Sequence, residues 1–230
     1  MRRVMFLLFC LGTINLYAQV PELEPTSVVD IPYADLQVCD RVASTDYEAL
    51  SDVEIALLSF VEVDPVLSHF YSGNCSWYCG GQIDSVTASS ALGEKYAADN
   101  AHDFSIVTAW VEGVEGNGEG EYIKYAFPGT CPRITKVLIH NGYVKNWDVW
   151  RDNGRVKKLL MYYNDKPYVI LHLQDTANLQ RFDVGILGHE ERSDASPAWS
   201  IKFEILEVYP GKKYEDTAIT EIYFDGIDVH

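Results

Sequence analysis

The last two-thirds of the chain alternates apolar and polar side chains in short segments. Residues 122–127 and 200–205 alternate with a period of two, which is typical of strands with one buried face. The apolar runs 159–163 and 168–173 flank the polar residues 164–167, so this stretch predicts a hairpin. Further strands are predicted at 86–90, 134–140, 180–184 and 219–225. Many short strands without helical runs between them predict an antiparallel sandwich or barrel, and residues 75–230 suffice for one such domain.

The region before residue 75 is patterned differently. Residues 19–38 are rich in proline and acidic side chains, which predicts an extended leader. Ser51 and Glu54 form a capping box, and apolar side chains then recur at helical spacing up to Pro65. We therefore predict that residues 19–74 form a leader followed by one short helix at about 52–62.

The first 18 residues predict a secretory signal peptide. Arg2 and Arg3 precede an apolar run at 4–16, and Ala18 is a small residue at the expected cleavage position. The run is shorter than the ~20 apolar residues that a membrane helix needs. Lipoprotein processing at Cys10 is the alternative, although large residues precede that cysteine. We expect cleavage near Ala18 and export to the periplasm or the medium without a membrane span.

Four cysteines remain after removal of such a signal peptide. An even number of cysteines in an oxidising compartment predicts two disulfide bonds, with three possible pairings. The spacing of the middle two exceeds that of a redox Cys-x-x-Cys motif by one residue, and the other two stand alone, which disfavours a zinc site. The predicted framework consists of Cys39, Cys75, Cys79 and Cys131.

The net charge of −16 restricts the possible partners of the chain. An acidic protein repels phosphate backbones, so nucleic acid is an unfavourable partner. The same charge suits a protein that meets divalent cations or neutral sugars, and it also keeps an exported protein soluble.

A local motif resembles the opening signature of discoidin domains. The segment 96–103, followed by Thr108-Ala109-Trp110, is similar to the signature of these domains, also called coagulation factor 5/8 type C domains, which include the family 32 carbohydrate-binding modules. The strand at 134–140 and the closing run at 218–224 follow in the expected order. The resemblance implies a galactose-binding-like antiparallel β-sandwich, a jelly roll. Phe104 departs from the signature, because the family has glycine there.

A narrower resemblance involves four further segments. Residues 110–116, 141–143, 153–157 and 208–218 are similar to the discoidin-type domain attached to a secreted NAD glycohydrolase. That domain assists translocation and is described as glycan-binding. The resemblance implies the binding or delivery part of such a protein, because residues 19–74 are too few for the catalytic domain.

The resemblance also implies a structural calcium ion. The family's aspartate, threonine and C-terminal glutamate map to Asp103, Thr108 and Glu221, with carbonyl groups near Asn100 and Ser105 completing the shell. Calcium prefers six to eight oxygen ligands, and this mixture of donors meets that need. The alternative is that Asp103 only stabilises its own turn by hydrogen bonds and that Glu221 is a surface charge.

The long connection between the strands at 134–140 and 159–163 is the predicted ligand-binding region. Aromatic rings can pack against the apolar face of a sugar, and amide and guanidinium groups can bind its hydroxyls. The alternative is that the two tryptophans of this connection cover the edge of the sandwich. Trp110 is instead predicted to lie in the core. The candidate ligand-binding residues are Tyr143, Trp147, Trp150, Asn153, Arg155 and Tyr214.

No motif of a known catalytic site stands out. The six histidines are scattered, His-Glu-x-x-His is absent, and no Gly-x-Ser-x-Gly elbow occurs. We therefore expect a non-catalytic binding module that recognises glycans or cell-surface carbohydrate. The alternative is a module that contacts a secreted or surface protein, or assists its translocation.

Overall fold

The structure is a computed structural model, and it describes residues 19–29 and 77–228. The predicted signal peptide, the helix at 52–62, Cys39 and Cys75 lie outside the described residues.

The strands, in chain order, are β1 (Glu22–Leu23), β2 (Ser27–Val29), β3 (Ser85–Ala88), β4 (Trp110–Val111), β5 (Tyr122–Phe127), β6 (Ile134–Asn141), β7 (Gly154–Tyr163), β8 (Lys166–His172), β9 (Leu179–Leu187), β10 (Trp199–Tyr209) and β11 (Thr217–Gly226). One short α-helix, α1 (Trp147–Asp152), and 3-10 helices at Trp77–Cys79, Glu94–Tyr96 and Ala98–His102 complete the described elements.

The strands form one continuous sheet that folds over itself into a sandwich. The strand order is β2-β9-β6-β11-β7-β10-β5-β3, with β8 beside β7 and β4 beside β11. Although β5 and β11 are three positions apart in this order, Tyr125 and Phe127 of β5 both contact Phe224 of β11 with ring centroids 5.1 and 5.2 Å apart. Direct contact between strands that are distant in the sheet requires two packed layers. The predicted all-β sandwich is confirmed.

The period-two alternation has the structural role that the sequence predicts. Along β5 and the first half of β10, every second side chain is buried, and the intervening polar side chains remain partly accessible. Trp110 is fully buried, and its indole Nε1 donates to the carbonyl of Ser90 at 2.9 Å. Burial of the apolar half of each strand stabilises the fold by about 25 cal/mol per Å² of apolar surface.

The hairpin between β7 and β8 is tighter than the sequence suggests. Asn164 and Asp165 have φ values of 50° and 59°, which defines a two-residue turn with both central residues in the left-handed region. Asn and Asp tolerate that region better than most residues. Lys166 and Pro167 therefore belong to β8 rather than to the turn.

Residues 21–29, which we call the N-terminal strand pair, cover two exposed edges of the sandwich. β1 pairs in parallel with β8, and β2 pairs antiparallel with β9. The backbone N–H of Ile170 donates to the carbonyl of Pro21 at 2.8 Å, and the N–H of Thr26 donates to the carbonyl of Arg181 at 2.7 Å. The part of the predicted leader that the structure describes is thus docked β-structure.

Cys79 and Cys131 are both free thiols in the structure. The two described cysteines are thus not joined to each other, and the framework of Cys39, Cys75, Cys79 and Cys131 stays a prediction. Cys131 is buried in the main core, where its Sγ donates to the carbonyl of Gln82 at 3.4 Å. Burial raises the pKa of the Cys131 thiol to about 11.

Candidate functional site

An open cavity of about 410 Å³ lies at the end of the sandwich where three connections meet. It is formed by residues around 92–96, by the connection between β6 and β7, and by the connection between β10 and β11. Its aromatic lining consists of Tyr96, Tyr143 and Tyr214. We call it the tyrosine cavity.

The remaining lining combines aliphatic and polar side chains. The aliphatic part is contributed by Leu92, Val111 and Val149. Val111 and Tyr143 belong to a small hydrophobic cluster of their own, separate from the main core. The polar part of the lining consists of Lys95, Lys145, Asn153 and Asp216. A concave site with apolar walls and a few polar groups is typical of small-ligand binding.

The position of Tyr143 is fixed at both ends of its side chain. The preceding Gly142 has a φ of +81°, and a Cβ there would lie 2.5 Å from the Arg155 side chain, so the turn requires glycine. The Tyr143 hydroxyl donates to the carbonyl of Val107 at 3.0 Å. The Tyr96 ring meets the Tyr143 ring edge to face, with centroids 6.3 Å apart and planes at 87°. These two rings therefore form a preorganised aromatic corner.

Tyr214 is presented by a loop that is attached to the end of α1. The backbone N–H of Tyr214 donates to the carbonyl of Asp152 at 2.9 Å, and that of Lys212 donates to the carbonyl of Arg151 at 2.9 Å. The Tyr214 side chain is 42% exposed, and Lys213 Nζ lies 4.7 Å from its ring centroid. An exposed ring on a hydrogen-bonded loop is available to a ligand without a large ordering cost.

Sequence reasoning did not predict α1, which begins after an asparagine cap. The Asn146 side chain accepts a hydrogen bond from the N–H of Val149 at 2.9 Å. At the other end, Asn153 Nδ2 donates to the carbonyl of Val149 at 2.8 Å. That bond orients Asn153, whose side-chain carbonyl keeps its capacity to accept a hydrogen bond.

The structure brings three of the six predicted ligand-binding residues into the tyrosine cavity: Tyr143, Asn153 and Tyr214. Arg155 does not line it. Its guanidinium makes two 3.0 Å hydrogen bonds with Asp175 and also donates to the carbonyls of Asn153 and Pro210. Arg155 thus connects the loops on either side of the cavity from within the protein.

The two tryptophans of the predicted ligand-binding connection lie beside the cavity. Trp150 is buried, and its Nε1 donates to the carbonyl of Asn141 at 2.9 Å. Trp147 is 39% exposed and stacks on Trp150, with centroids 5.0 Å apart and planes within 16°. Arg155 lies against the Trp150 ring at 4.8 Å. Trp150 is therefore a packed side chain, and Trp147 covers one face of its ring.

Sequence reasoning missed most of the lining that precedes β4. Lys95 directly precedes the discoidin-like segment 96–103 and Tyr96 begins it, but no period or spacing in the sequence marks either residue as a partner of Tyr143. Asp216 lies within 208–218, one of the segments that carry the narrower resemblance, so the sequence indicated this segment but not the residue. Lys145 lies in the predicted connection, but the prediction covers only the aromatic, amide and guanidinium groups there.

The residues predicted to hold calcium lie outside the lining of the tyrosine cavity. Asp103 accepts hydrogen bonds from the hydroxyl of Thr108 at 2.7 Å and from the N–H of Ser105 at 3.0 Å. Glu221 accepts from the same Ser105 N–H at 2.9 Å and is fully buried, so the alternative that it is a surface charge is wrong. The Asn100 side chain donates to the carbonyls of Lys95 and Ala109. Asp103, Ser105, Thr108 and Glu221 thus share one hydrogen-bond network, while Asn100 ties the neighbouring backbone at Lys95 to that at Ala109.

Phe104 adopts the backbone conformation of the glycine that it replaces. Its φ is 63°, in the left-handed region that is unfavourable for a bulky residue. The ring stacks on Tyr223 at 5.8 Å and meets Tyr78 edge-on at 5.1 Å. Aromatic packing offsets the backbone strain, so the loop keeps its conformation without glycine.

The donor set of this loop fits calcium in chemical type. Carboxylate, hydroxyl and carbonyl oxygens are the ligands that calcium prefers. Within residues 19–29 and 77–228, no cluster of three or more His, Cys, Asp or Glu side chains is placed to hold a metal. An ion at the loop would therefore depend on Ser105 and Asn100 carbonyls and the Thr108 hydroxyl in addition to Asp103 and Glu221. The nearby His102 imidazole has its pKa lowered by burial, although it contacts the carbonyl of Ile222.

Comparison with known proteins assigns the fold that carries these two sites. The family model of the NAD glycohydrolase translocation F5/8 type C domain matches residues 77–225, which is more than half of the chain. The chain belongs to this family. The match spans the described residues that line the tyrosine cavity and those of the predicted calcium loop. No curated protein matches the sequence at a significant level.

Solved structures with the same fold include modules of the CBM32 type. The CBM32-1 and CBM32-2 domains from Clostridium perfringens ZmpB in complex with GalNAc have a TM-score of 0.50 at 11% identity, over 72% of this chain and 38% of that chain. CpGH89CBM32-5 from the same organism, in complex with GalNAc-β-1,3-galactose, has a TM-score of 0.46 at 16% identity, over 66% of this chain and 100% of that chain. A longer ZmpB structure with the M60 catalytic domain is covered over only 14% of its length. The likeness to the ZmpB pair shows the sandwich fold.

Among the described residues, no helix has the length and apolar character to cross a bilayer.

Proposed function

We propose that residues 77–228 form a non-catalytic module that binds glycans in the tyrosine cavity. The observation that carries the proposal is the convergence of three tyrosines on one preformed cavity with an amide and charged groups between them. A sugar ring has an apolar face that packs on an aromatic ring, and its hydroxyls need hydrogen-bond partners at the edges. The GalNAc complex of the ZmpB domains, which share the fold, also supports a sugar as ligand.

The volume of the tyrosine cavity suits one or two sugar rings. A cavity of about 410 Å³ is within the usual range of small-ligand pockets, roughly 300–1,000 Å³. Because its walls are tied by backbone hydrogen bonds such as Leu92 N–H to the Val111 carbonyl at 2.9 Å, the ligand meets an already formed surface. Preorganisation of this kind lowers the entropic cost of binding.

A glycan array probed with the purified protein tests this function. We expect binding to a restricted set of glycans, with affinity reduced at least about tenfold by Tyr214→Ala, equivalent to 1.4 kcal/mol. Trp147→Ala is the matched control, because Trp147 is an exposed aromatic side chain outside the cavity. Equal losses in both variants, or a Tyr214→Ala protein that binds like wild type, would contradict the proposed site.

A second candidate function is contact with a secreted protein during translocation. The family description and one structural feature favour it: Trp147 is exposed on α1 and backed by Trp150, which makes a rigid aromatic contact point. If the array is blank and Trp147→Ala abolishes capture of a defined secreted partner, this function replaces the first.

We also propose that the chain does not hydrolyse NAD. The matched region, residues 77–225, corresponds to an accessory domain rather than to a catalytic one. Incubation of purified protein with NAD should release no nicotinamide above background. Turnover that disappears when a single acidic residue is replaced would contradict the binding-module proposal.

The loop around Asp103 is proposed as a structural calcium site. Calcium would be held by Asp103, Glu221 and Thr108 with carbonyls of Asn100 and Ser105, and it would link the start of the domain to β11. The ion would supply structural cross-linking rather than contact with the sugar, since none of these residues lines the tyrosine cavity.

A further inference from the structure

Two residues of the tyrosine cavity are held from behind by a buried pair. Val111 of the lining is followed in the chain by Glu112, and Asp216 of the lining is followed by Thr217. Glu112 and Thr217, which we call the buried pair, are both fully buried. The N–H of Glu112 donates to the carbonyl of Thr217 at 3.2 Å, and the N–H of Thr217 donates to Glu112 Oε1 at 3.1 Å.

The start of β7 packs tightly against the buried pair. The N–H of Gly154 donates to the carbonyl of Asp216 at 2.8 Å, and a Cβ at Gly154 would lie 2.5 Å from Thr217 Oγ1. Asn153, which precedes Gly154, also lines the cavity. Because this contact leaves no room for an added methyl group, a shift of Thr217 displaces the backbone that carries Asn153 and Asp216.

The second oxygen of the Glu112 carboxylate binds the loop at 113–118. Glu112 Oε2 accepts a hydrogen bond from the N–H of Val114 at 2.9 Å. The hydroxyl of Thr217 donates to the carbonyl of Asn117 in the same loop at 2.8 Å. One carboxylate therefore joins this loop to the start of β11, directly behind the cavity wall.

These contacts require an ionised carboxylate. The N–H groups of Val114 and Thr217 need two acceptor oxygens. An ionised carboxylate supplies both, whereas a protonated carboxyl group or a glutamine amide offers one good acceptor and one donor. The charged groups that act on Glu112 from the described part of the chain, Asp216 and Glu121, are also carboxylates. Burial, and then these two negative charges, raise the pKa of Glu112 above 4.5, although its hydrogen bonds oppose the shift.

Resting on the proposed glycan function, we propose that Glu112 is a positioning residue that makes glycan binding in the tyrosine cavity depend on pH. The ionised carboxylate holds Val111 and Asp216 in the arrangement that binds the ligand. When it takes up a proton, the N–H of Val114 or of Thr217 loses its acceptor, and the cavity wall is no longer fixed. The same proton removes the cost of burying a charge, so it stabilises the fold while it weakens binding.

A pH titration of the wild-type protein by NMR tests these contacts without a ligand or a variant. The backbone amide signals of Val114 and Thr217 should shift with one common midpoint above pH 4.5, because both N–H groups bind the same carboxylate. The amide signal of Val111 should follow with that midpoint. Signals that stay constant between pH 7.5 and pH 4.0, or that titrate with different midpoints, would overturn the inference.

Glycan arrays probed at pH 7.5 and at pH 4.5 test the effect on binding. We expect wild-type binding to be at least about fivefold weaker at the lower pH, the effect of losing one hydrogen bond. Glu112→Gln should bind weakly already at pH 7.5 and fall far less, and the fall that remains measures Asp216, which this variant retains. Glu119→Gln, which replaces an exposed glutamate between β4 and β5, is the matched control and should show the wild-type fall.

The direction of the stability change separates positioning from a purely structural role. As the pH falls from 7.5 to 4.5, the unfolding free energy of the wild type minus that of Glu112→Gln should rise, whereas binding should weaken. A stability difference that falls together with binding would indicate general loosening of the fold and would overturn the inference. Equal wild-type binding at both pH values would also overturn it and leave the glycan function intact. No glycan binding at either pH would overturn both.

Discussion

Asp103 and Glu221 accept hydrogen bonds from the same backbone amide, the N–H of Ser105, at 3.0 and 2.9 Å. One carboxylate belongs to the loop before β4 and the other to β11, so the shared donor joins the two ends of the domain. Two carboxylates this close repel each other unless positive charge or hydrogen-bond donors compensate. A bound calcium ion would provide that compensation.

We expect calcium to raise the melting temperature of the protein. At a free calcium concentration of about 100 times Kd, binding to the folded state adds ~2.7 kcal/mol, or about 5–10 °C for a domain of this size. The increase should disappear in Asp103→Asn and Glu221→Gln, as measured by differential scanning calorimetry with calcium or chelator.

Each variant is judged by the rise in its melting temperature on addition of calcium. The melting temperature alone is not sufficient, because Glu221→Gln also changes a buried group. Asp194→Asn, which replaces an exposed aspartate in the loop before β10, should retain the full increment. A wild-type melting curve that is identical in calcium and in chelator would leave hydrogen bonding as the only role of Asp103.

Glu112 should give the fold a defined dependence on pH. Its carboxylate is buried at the end of β4 and accepts hydrogen bonds from the N–H groups of Val114 at 2.9 Å and Thr217 at 3.1 Å. Burial raises the pKa of Glu112 above its ordinary value of 4.5, although these two hydrogen bonds oppose the shift. The folded state therefore binds the proton more tightly than the unfolded state.

The sign of the effect follows from that difference in proton binding. Stability contributed by protonated Glu112 is fully present below the unfolded-state pKa and is lost as pH rises through the folded-state pKa. The unfolding free energy of the wild type minus that of Glu112→Gln should thus decrease as the pH rises from 4.5 to 7.5. Urea titrations of both proteins measure this difference. Glu119→Gln, an exposed neighbour, should show no such trend, and a difference that grows with pH would contradict the assigned cause.

The two described cysteines should differ in their reaction with iodoacetamide. With its pKa raised to about 11 and its side chain buried, Cys131 has almost no thiolate at pH 8. We expect modification of the exposed Cys79 in the native protein and of Cys131 only after unfolding, as measured by peptide mass spectrometry. Recovery of Cys131 in a disulfide-linked peptide with Cys39 or Cys75 would instead support the four-cysteine framework predicted from the sequence.

The N-terminal strand pair should contribute to stability through one side chain in particular. Leu23 of β1 packs against the main core, whereas Val28 of β2 is 37% exposed. Leu23→Ala should lower the unfolding free energy by about 1–2 kcal/mol, and Val28→Ala by no more than ~0.5 kcal/mol. Chemical denaturation of both variants measures this, and equal effects would show that residues 21–29 do not dock as described.

Much of the fold and part of the cavity could be predicted from the sequence. Period-two alternation is a local property of the backbone, so residues 122–127 and 200–205 indicated their strands and buried faces without any tertiary information. The discoidin-like motif around Asp103 and the segments around Tyr143 and Tyr214 indicated the family and two of the three cavity tyrosines.

Only the tertiary structure decided which of these residues meet. Tyr96 reaches Tyr143 because β4 and β6 both flank β11, an arrangement that depends on strand order and not on any local spacing. The same strand order buries Trp150 and directs Arg155 to Asp175, although tryptophan and arginine are residue types that often bind ligands. The sequence by itself therefore determined the strands, the family and the types of side chain in the loops. The fold determined which loops converge, because proximity between distant segments results from packing the whole sandwich.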